Sequence, residues 1–131
     1  MKIKQEIKDF FKQVPVMAFA TVDSKGVPNV SAIASKKIVD DDTIYTIDTF
    51  HKKTLENING NAHISLALWK DAVGYQIKGT AIHYTQGDVF EEGKAWILKI
   101  KPKKIVKGVI VIKVSEVFCL TPNYEVAGEA C

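Results

Sequence analysis

Ile47-Asp48-Thr49-Phe50-His51-Lys52-Lys53-Thr54-Leu55-Glu56-Asn57-Ile58 holds two structural periods side by side. Its start completes TIYTID (43–48), a β-branched and aromatic run that predicts a strand. Its end opens KKTLENING (52–60), where Leu55 and Ile58 share a helical face and Asn59-Gly60 is a stop signal. A strand running straight into a helix start leaves backbone N–H groups unsatisfied and aimed outward, an arrangement that favours a phosphate. Lys53 would add a counter-charge and the Thr54 hydroxyl a hydrogen bond. An ordinary helix start fits the same residues. Lys52 and Lys53 then stand at the end of the helix dipole that disfavours cations, which an anion would relieve. On the residues alone both readings stand.

Strand patterns surround this stretch. VMAFATV (16–22) is followed by Asp23-Ser24-Lys25-Gly26, a hairpin-type connection, and by a long strand pattern from Val27 to Val39. Asp40-Asp41-Asp42 reads as a solvated turn. Beyond the helix come HISLALW, a turn at Lys70-Asp71, and VGYQIKGTAIHYT with Gly74 and Gly79 as candidate bends or bulges. KGVIVIKVSEVFCL is the last strand. Two more helices are predicted. One is the amphipathic N-terminal segment with Ile3, Ile7, Phe10, Phe11 and Val14 on one face, ended by Pro15. The other begins at Asp88 as cap, with Val89, Gly93, Trp96, Ile97 and Ile100 on one face and Pro102 behind it. The expectation is one domain, residues 1–131, mainly β with flanking helices. Six antiparallel strands joined by short turns favour a closed or nearly closed barrel, which removes exposed edges.

Composition narrows the chemistry. The 131 residues are 47% hydrophobic and 25% charged, a globular balance that excludes a disordered or fibrous chain. All 18 basic residues are lysines, so no site here can use a bidentate guanidinium. No apolar run is long enough to span a membrane and the N-terminus lacks a cleavage pattern, so a cytoplasmic protein is expected. His51, His63 and His83 have no metal-ligand spacing; Cys119 reads as buried in a strand and Cys131 as part of a mobile tail. No G-x-S-x-G, P-loop or G-x-G-x-x-G occurs.

The order GVPNVSAIAS, TIYTIDTFHKKTLENI, HISLALW, GYQIKGTAIHY, a helix and VIVIKV resembles the FMN-binding split-barrel flavoproteins related to pyridoxamine 5′-phosphate oxidase, including the small bacterial FMN-binding proteins. It covers Val16 to Leu120. The resemblance implies a six-stranded antiparallel split β-barrel that forms a homodimer and binds one FMN per subunit near the interface. It implies a phosphate site at Lys53 and Thr54. The flavin ring would lie along Ser31, Ala32, Ile33 and Ala34 and along Ile47, Asp48 and Thr49, with Gln76 and Lys78 on a further contacting strand. Trp69 and Trp96 are read as core or interface residues. The resemblance also has a gap. The oxidase proper recognises its phosphorylated substrate with arginine-containing motifs, including a C-terminal segment; this chain has no arginine and ends in NYEVAGEAC.

The expected function is therefore a non-covalent FMN flavoprotein, either an electron carrier or an oxidoreductase with an unknown donor and acceptor, without pyridoxamine 5′-phosphate oxidase activity. The alternative is a cofactor-binding module without redox turnover: an FMN store, or a haem- or nucleotide-binding relative. A nucleic-acid-binding barrel has the lysines in its favour but lacks clustered basic and aromatic strand faces, so neither nucleic acid nor membrane is an expected partner.

Overall fold

A computed structural model describes residues 3–131; Met1 and Lys2, the start of the expected N-terminal helix, lie outside the described residues. In chain order the elements are α1 (Gln5–Gln13), β1 (Met17–Val22), β2 (Pro28–Ile33), β3 (Lys36–Ile38), β4 (Thr43–Asp48), α2 (Lys53–Gly60), β5 (His63–Lys70), β6 (Val73–Tyr84), α3 (Asp88–Ile100) and β7 (Gly108–Cys119). All strands belong to one antiparallel sheet in the order β2-β1-β5-β6-β7-β4-β3.

The expected count of six strands becomes seven, because the run from Val27 to Val39 breaks at Ala34-Ser35. The chain leaves β1 there and joins β4, where the Ser35 carbonyl accepts from the Ile47 N–H at 3.2 Å. The break also shapes the molecule. β2 and β3 stand at opposite ends of the sheet, yet Ala34 and Ser35 alone connect them. The three Cα–Cα steps from Ile33 to Lys36 reach about 11 Å at most, so the sheet must curl until its ends nearly meet. The result is a half-barrel with a split, since β2 and β3 are not paired with each other.

Alternating residues fill two cores. Inside the curl, Met17, Phe19, Ile44, Leu66, Ile77, Ile110 and Ile112 are fully buried, and Ile7, Phe11 and Val14 of the N-terminal segment plug one end as their spacing predicts. Outside it, Tyr45, Ile47 and Val109 pack against Phe90 and Ile97 of α3. Gly93 permits that approach, because a Cβ there would lie 2.6 Å from the Val109 side chain. The bulge expected in β6 falls at Lys78/Gly79, where Ser115 is the extra residue and a Cβ on Gly79 would run into the Lys113 carbonyl.

Three expectations change. Asp88 does not cap α3: the chain enters from Gly87 at φ 94°, and no side chain caps the helix. Ile100, placed on its buried face, is 62% exposed. Cys131 is not on a free tail but forms a disulfide with Cys119, their Cα atoms 5.5 Å apart. The final residues turn back at Gly128 (φ 82°) and pair with the end of β7, with Cys119 N–H donating to the Glu129 carbonyl at 2.9 Å.

Candidate functional site

The split opens into a cleft of about 370 Å³. One wall is Ser31, Ala32, Ile33 and Ala34, where β2 ends and turns toward β3. β2 pairs only with β1, so its other edge carries N–H and C=O groups with no strand partner. The opposite wall is Ile47 and Thr49 at the end of β4. Thr49 is buried and donates its hydroxyl to the Ile105 carbonyl at 2.6 Å. Small side chains at Ala32 and Ala34 let a flat ring approach the backbone of that edge, and the unpaired edge offers both donors and acceptors.

Phe50, His51 and Lys104 also line the cleft. Phe50 is 91% exposed, an aromatic ring held at the rim. Burial pushes the His51 imidazole below its ordinary value of 6.5, with smaller opposing and reinforcing effects from Asp48, His83 and Lys104. Burial likewise lowers the Lys104 ammonium, with Lys101 adding to it. Phe50 and His51 sit inside the stretch that decides the fold, but their role depends on which way the chain turns after β4. Lys104 is brought in from the loop after α3, and nothing in its local sequence signals this.

Asp48 lines β4 but faces away from the cleft. It is buried, and its Oδ1 accepts from the His51 N–H at 3.2 Å. Its Oδ2 lies 3.1 Å from Nε2 of His83 on β6. The strand between them, β7, offers no obstacle because Gly108 stands opposite Asp48; a Cβ at Gly108 would collide with the imidazole. The pair thus fastens the loop carrying Phe50 and His51 from beneath. His83, which has no metal-ligand spacing in the sequence, is thus a hydrogen-bond partner of a carboxylate 35 residues away.

The helix start is organised differently from the strand walls. No side chain caps α2, so its first N–H groups keep the polarity that attracts an anion. Lys53 is exposed, with Glu56 at 3.5 Å. Thr54 is buried, and its hydroxyl lies 3.0 Å from Ser31 Oγ and accepts from Asn29 Nδ2 at 3.2 Å, tying α2 to β2. Asn57 joins the same network through Thr21 at 3.0 Å. Gln76 and Lys78 are not brought to the cleft of their own chain. They lie on the outer sheet face at β6, where Gln76 donates to Ser65 Oγ at 3.1 Å and Lys78 lies 5.2 Å from the Phe118 ring centroid.

A curled antiparallel sheet, open along one split and holding a cleft there, defines the split-barrel class. The chain belongs to the family described as pyridoxamine 5′-phosphate oxidase, whose pattern matches residues 3–120. An uncharacterized protein of Methanocaldococcus jannaschii is 36% identical over 109 residues, 80% of this chain and 72% of that one. Among solved structures, HupZ of Group A Streptococcus is 31% identical with a TM-score of 0.84, covering 98% of both chains. Two more distant structures share the fold at 16% identity. An FMN-binding protein of Syntrophomonas wolfei has a TM-score of 0.75, covering 88% of this chain and 84% of that one. The haem storage protein HutZ of Vibrio cholerae has a TM-score of 0.68, covering 91% and 95%. No helix among the described residues is long and apolar enough to cross a membrane.

Proposed function

We propose that the cleft binds one FMN per chain without a covalent bond and that the protein is a redox flavoprotein. The observation carrying this reading is the wall of small residues, Ser31 to Ala34, along an unpaired strand edge. Backbone groups of that edge would hold the polar rim of the flavin, and Ile47 and Thr49 would bound the ring on the far side. The uncapped start of α2 and Lys53 would hold the phosphate. When bound, the flavin supplies one- and two-electron transfer. The chain's own residues orient it, and His51 and Lys104 supply the polar groups beside it. The Syntrophomonas wolfei protein of the same fold, described as FMN-binding, lends support. The test is direct: purified protein should be yellow, and flavin released by denaturation should prove to be FMN. Colourless protein that does not bind added FMN would end this reading.

A haem-storage role is the second reading, favoured by one observation: an imidazole, His51, faces the cleft and is held toward its neutral, metal-binding form by burial. HutZ has the same fold. Parallel titrations with FMN and haemin decide between the two.

We further infer a homodimer. On the outer sheet face Ala32, Ala18 and Ala67 form one row across β2, β1 and β5, flanked by exposed Val30 (67%) and Trp69 (58%). An apolar face of this kind is uncommon on a stable monomer. A second copy seated there would border the cleft, because Ser31 and Ala32 belong to both surfaces. Light scattering at the mass of one chain would remove this claim. Oxidation of pyridoxamine 5′-phosphate is outside the proposal, since a second phosphate beside FMN needs dedicated cations and the chain has no arginine. Pyridoxal 5′-phosphate production at about 1 s⁻¹ or faster would overturn that exclusion.

A further inference from the structure

A second cavity, of about 600 Å³, lies between α1, β3 and the C-terminal half of α3 and shares only Ala34 with the cleft. This is the size range of small-molecule sites. Its apolar surface comes from Phe11 of α1, Val14 just beyond it, Ile38 of β3, and Trp96 and Ile100 of α3. Ile100 is left largely in water, although α3 has an apolar core face available to it.

The charges around this surface are unbalanced. Lys8, Lys12, Lys36 and Lys37 line the cavity against one carboxylate, Asp40. Lys8 is engaged by Asp41 at 2.7 Å. Lys36 donates to the Phe11 carbonyl at 2.8 Å, completing the C-terminal end of α1, and burial pulls its ammonium down to about 8. Lys12 and Lys37 have no such role. Among the described residues neither forms an ion pair, and Lys37 instead lies 5.6 Å from the Trp96 ring centroid. Unneutralised cations gathered around an aromatic and aliphatic surface fit a ligand that is apolar in its body and negative at one end.

We propose that this cavity binds a small amphipathic anion, with a planar aromatic body against Trp96 and a carboxylate, sulfonate or phosphate directed toward Lys12 and Lys37. The site goes beyond the cofactor reading and does not depend on what fills the cleft.

Isothermal titration of the full chain with naphthalene-2-sulfonate tests it, with 2-naphthol as the same body lacking the permanent charge. The sulfonate should bind saturably at one per chain, and 2-naphthol at least about tenfold more weakly. The double variant Lys12→Ala/Lys37→Ala should weaken sulfonate binding by roughly tenfold or more, and Trp96→Leu by about tenfold. FMN affinity, measured separately by fluorescence, should be unchanged in both variants. Absence of saturable binding, equal binding by the double variant, or displacement of the sulfonate by FMN would each overturn the proposal. FMN failing to bind would leave these readings intact, so the two proposals stand or fall separately.

Discussion

β4 and β2 bound the same cleft and are built in opposite ways. All six residues of β4 are buried, because β3 and β7 flank it, the inner core lies on one face and α3 covers the other. β2 has one neighbour, and its residues alternate between exposed and half-buried until Ile33. One wall is therefore fixed by packing from every side. The other offers free backbone groups to whatever enters. The difference teaches where a substitution will be felt: around β4 as stability, and around β2 and the start of α2 that it anchors as binding.

The largest effect should come from removing the imidazole that steadies β4. His83→Ala leaves the buried Asp48 carboxylate without its imidazole hydrogen-bond partner, and losing a hydrogen bond to a charged group costs about 1.5–3 kcal/mol. Denaturant unfolding should place the loss near the lower end, because the His51 N–H still serves Asp48. A loss under about 1 kcal/mol would mean the pair does not fasten this wall. On the open side, Lys53→Ala should weaken FMN binding by roughly 10- to 100-fold while leaving the unfolding midpoint unchanged. Its exposed contact with Glu56 contributes little to the fold. Fluorescence titration in which Lys53→Ala matches the parent would move the phosphate elsewhere.

A gain is expected inside β4. Thr46 is fully buried, and its hydroxyl has no partner among the described residues. Thr46→Val keeps the shape and removes that unmet polar group, so it should stabilise by about 1 kcal/mol in the same unfolding assay. The smallest effect is on pH. With the His51 pKa depressed in the folded state, the unfolded chain binds more protons below about 6.5, so stability is full above that value and falls as pH drops through the folded pKa. His51→Gln should flatten this part of the stability profile between pH 7 and pH 5; an unaltered slope would assign the titration to another group.

Most of the architecture was legible because period and burial agree. Ile7, Phe11 and Val14 are buried as their spacing predicts, and the Gly79 bulge lies where a strand glycine invites one. The break at Ala34-Ser35 was not legible, since both halves of Val27–Val39 have strand character and only their different neighbours separate them. The Cys119–Cys131 link was missed for a similar reason: it depends on a chain reversal near Gly128 that has no periodic signal. Ser31 to Ala34, Ile47 and Thr49 line one cleft because the chain break at Ala34-Ser35 carries β2 round to β4. Gln76 and Lys78 do not join them within one chain, and Asp48 turns inward toward a histidine distant in sequence. Contacts across three strands, such as Asp48 over Gly108 to His83, leave no local pattern to read.

The two tryptophans stand on different surfaces. Trp69 projects from β5 beside the alanine row, and Trp96 lies on α3 in the second cavity. Their emission can thus serve as two separate optical gauges. Trp69→Phe leaves a chain whose fluorescence tracks the lysine-rimmed cavity, and Trp96→Phe leaves one whose fluorescence tracks the alanine-row face. A titration followed in both variants would assign a spectral change to a location on the molecule before any ligand has been crystallised.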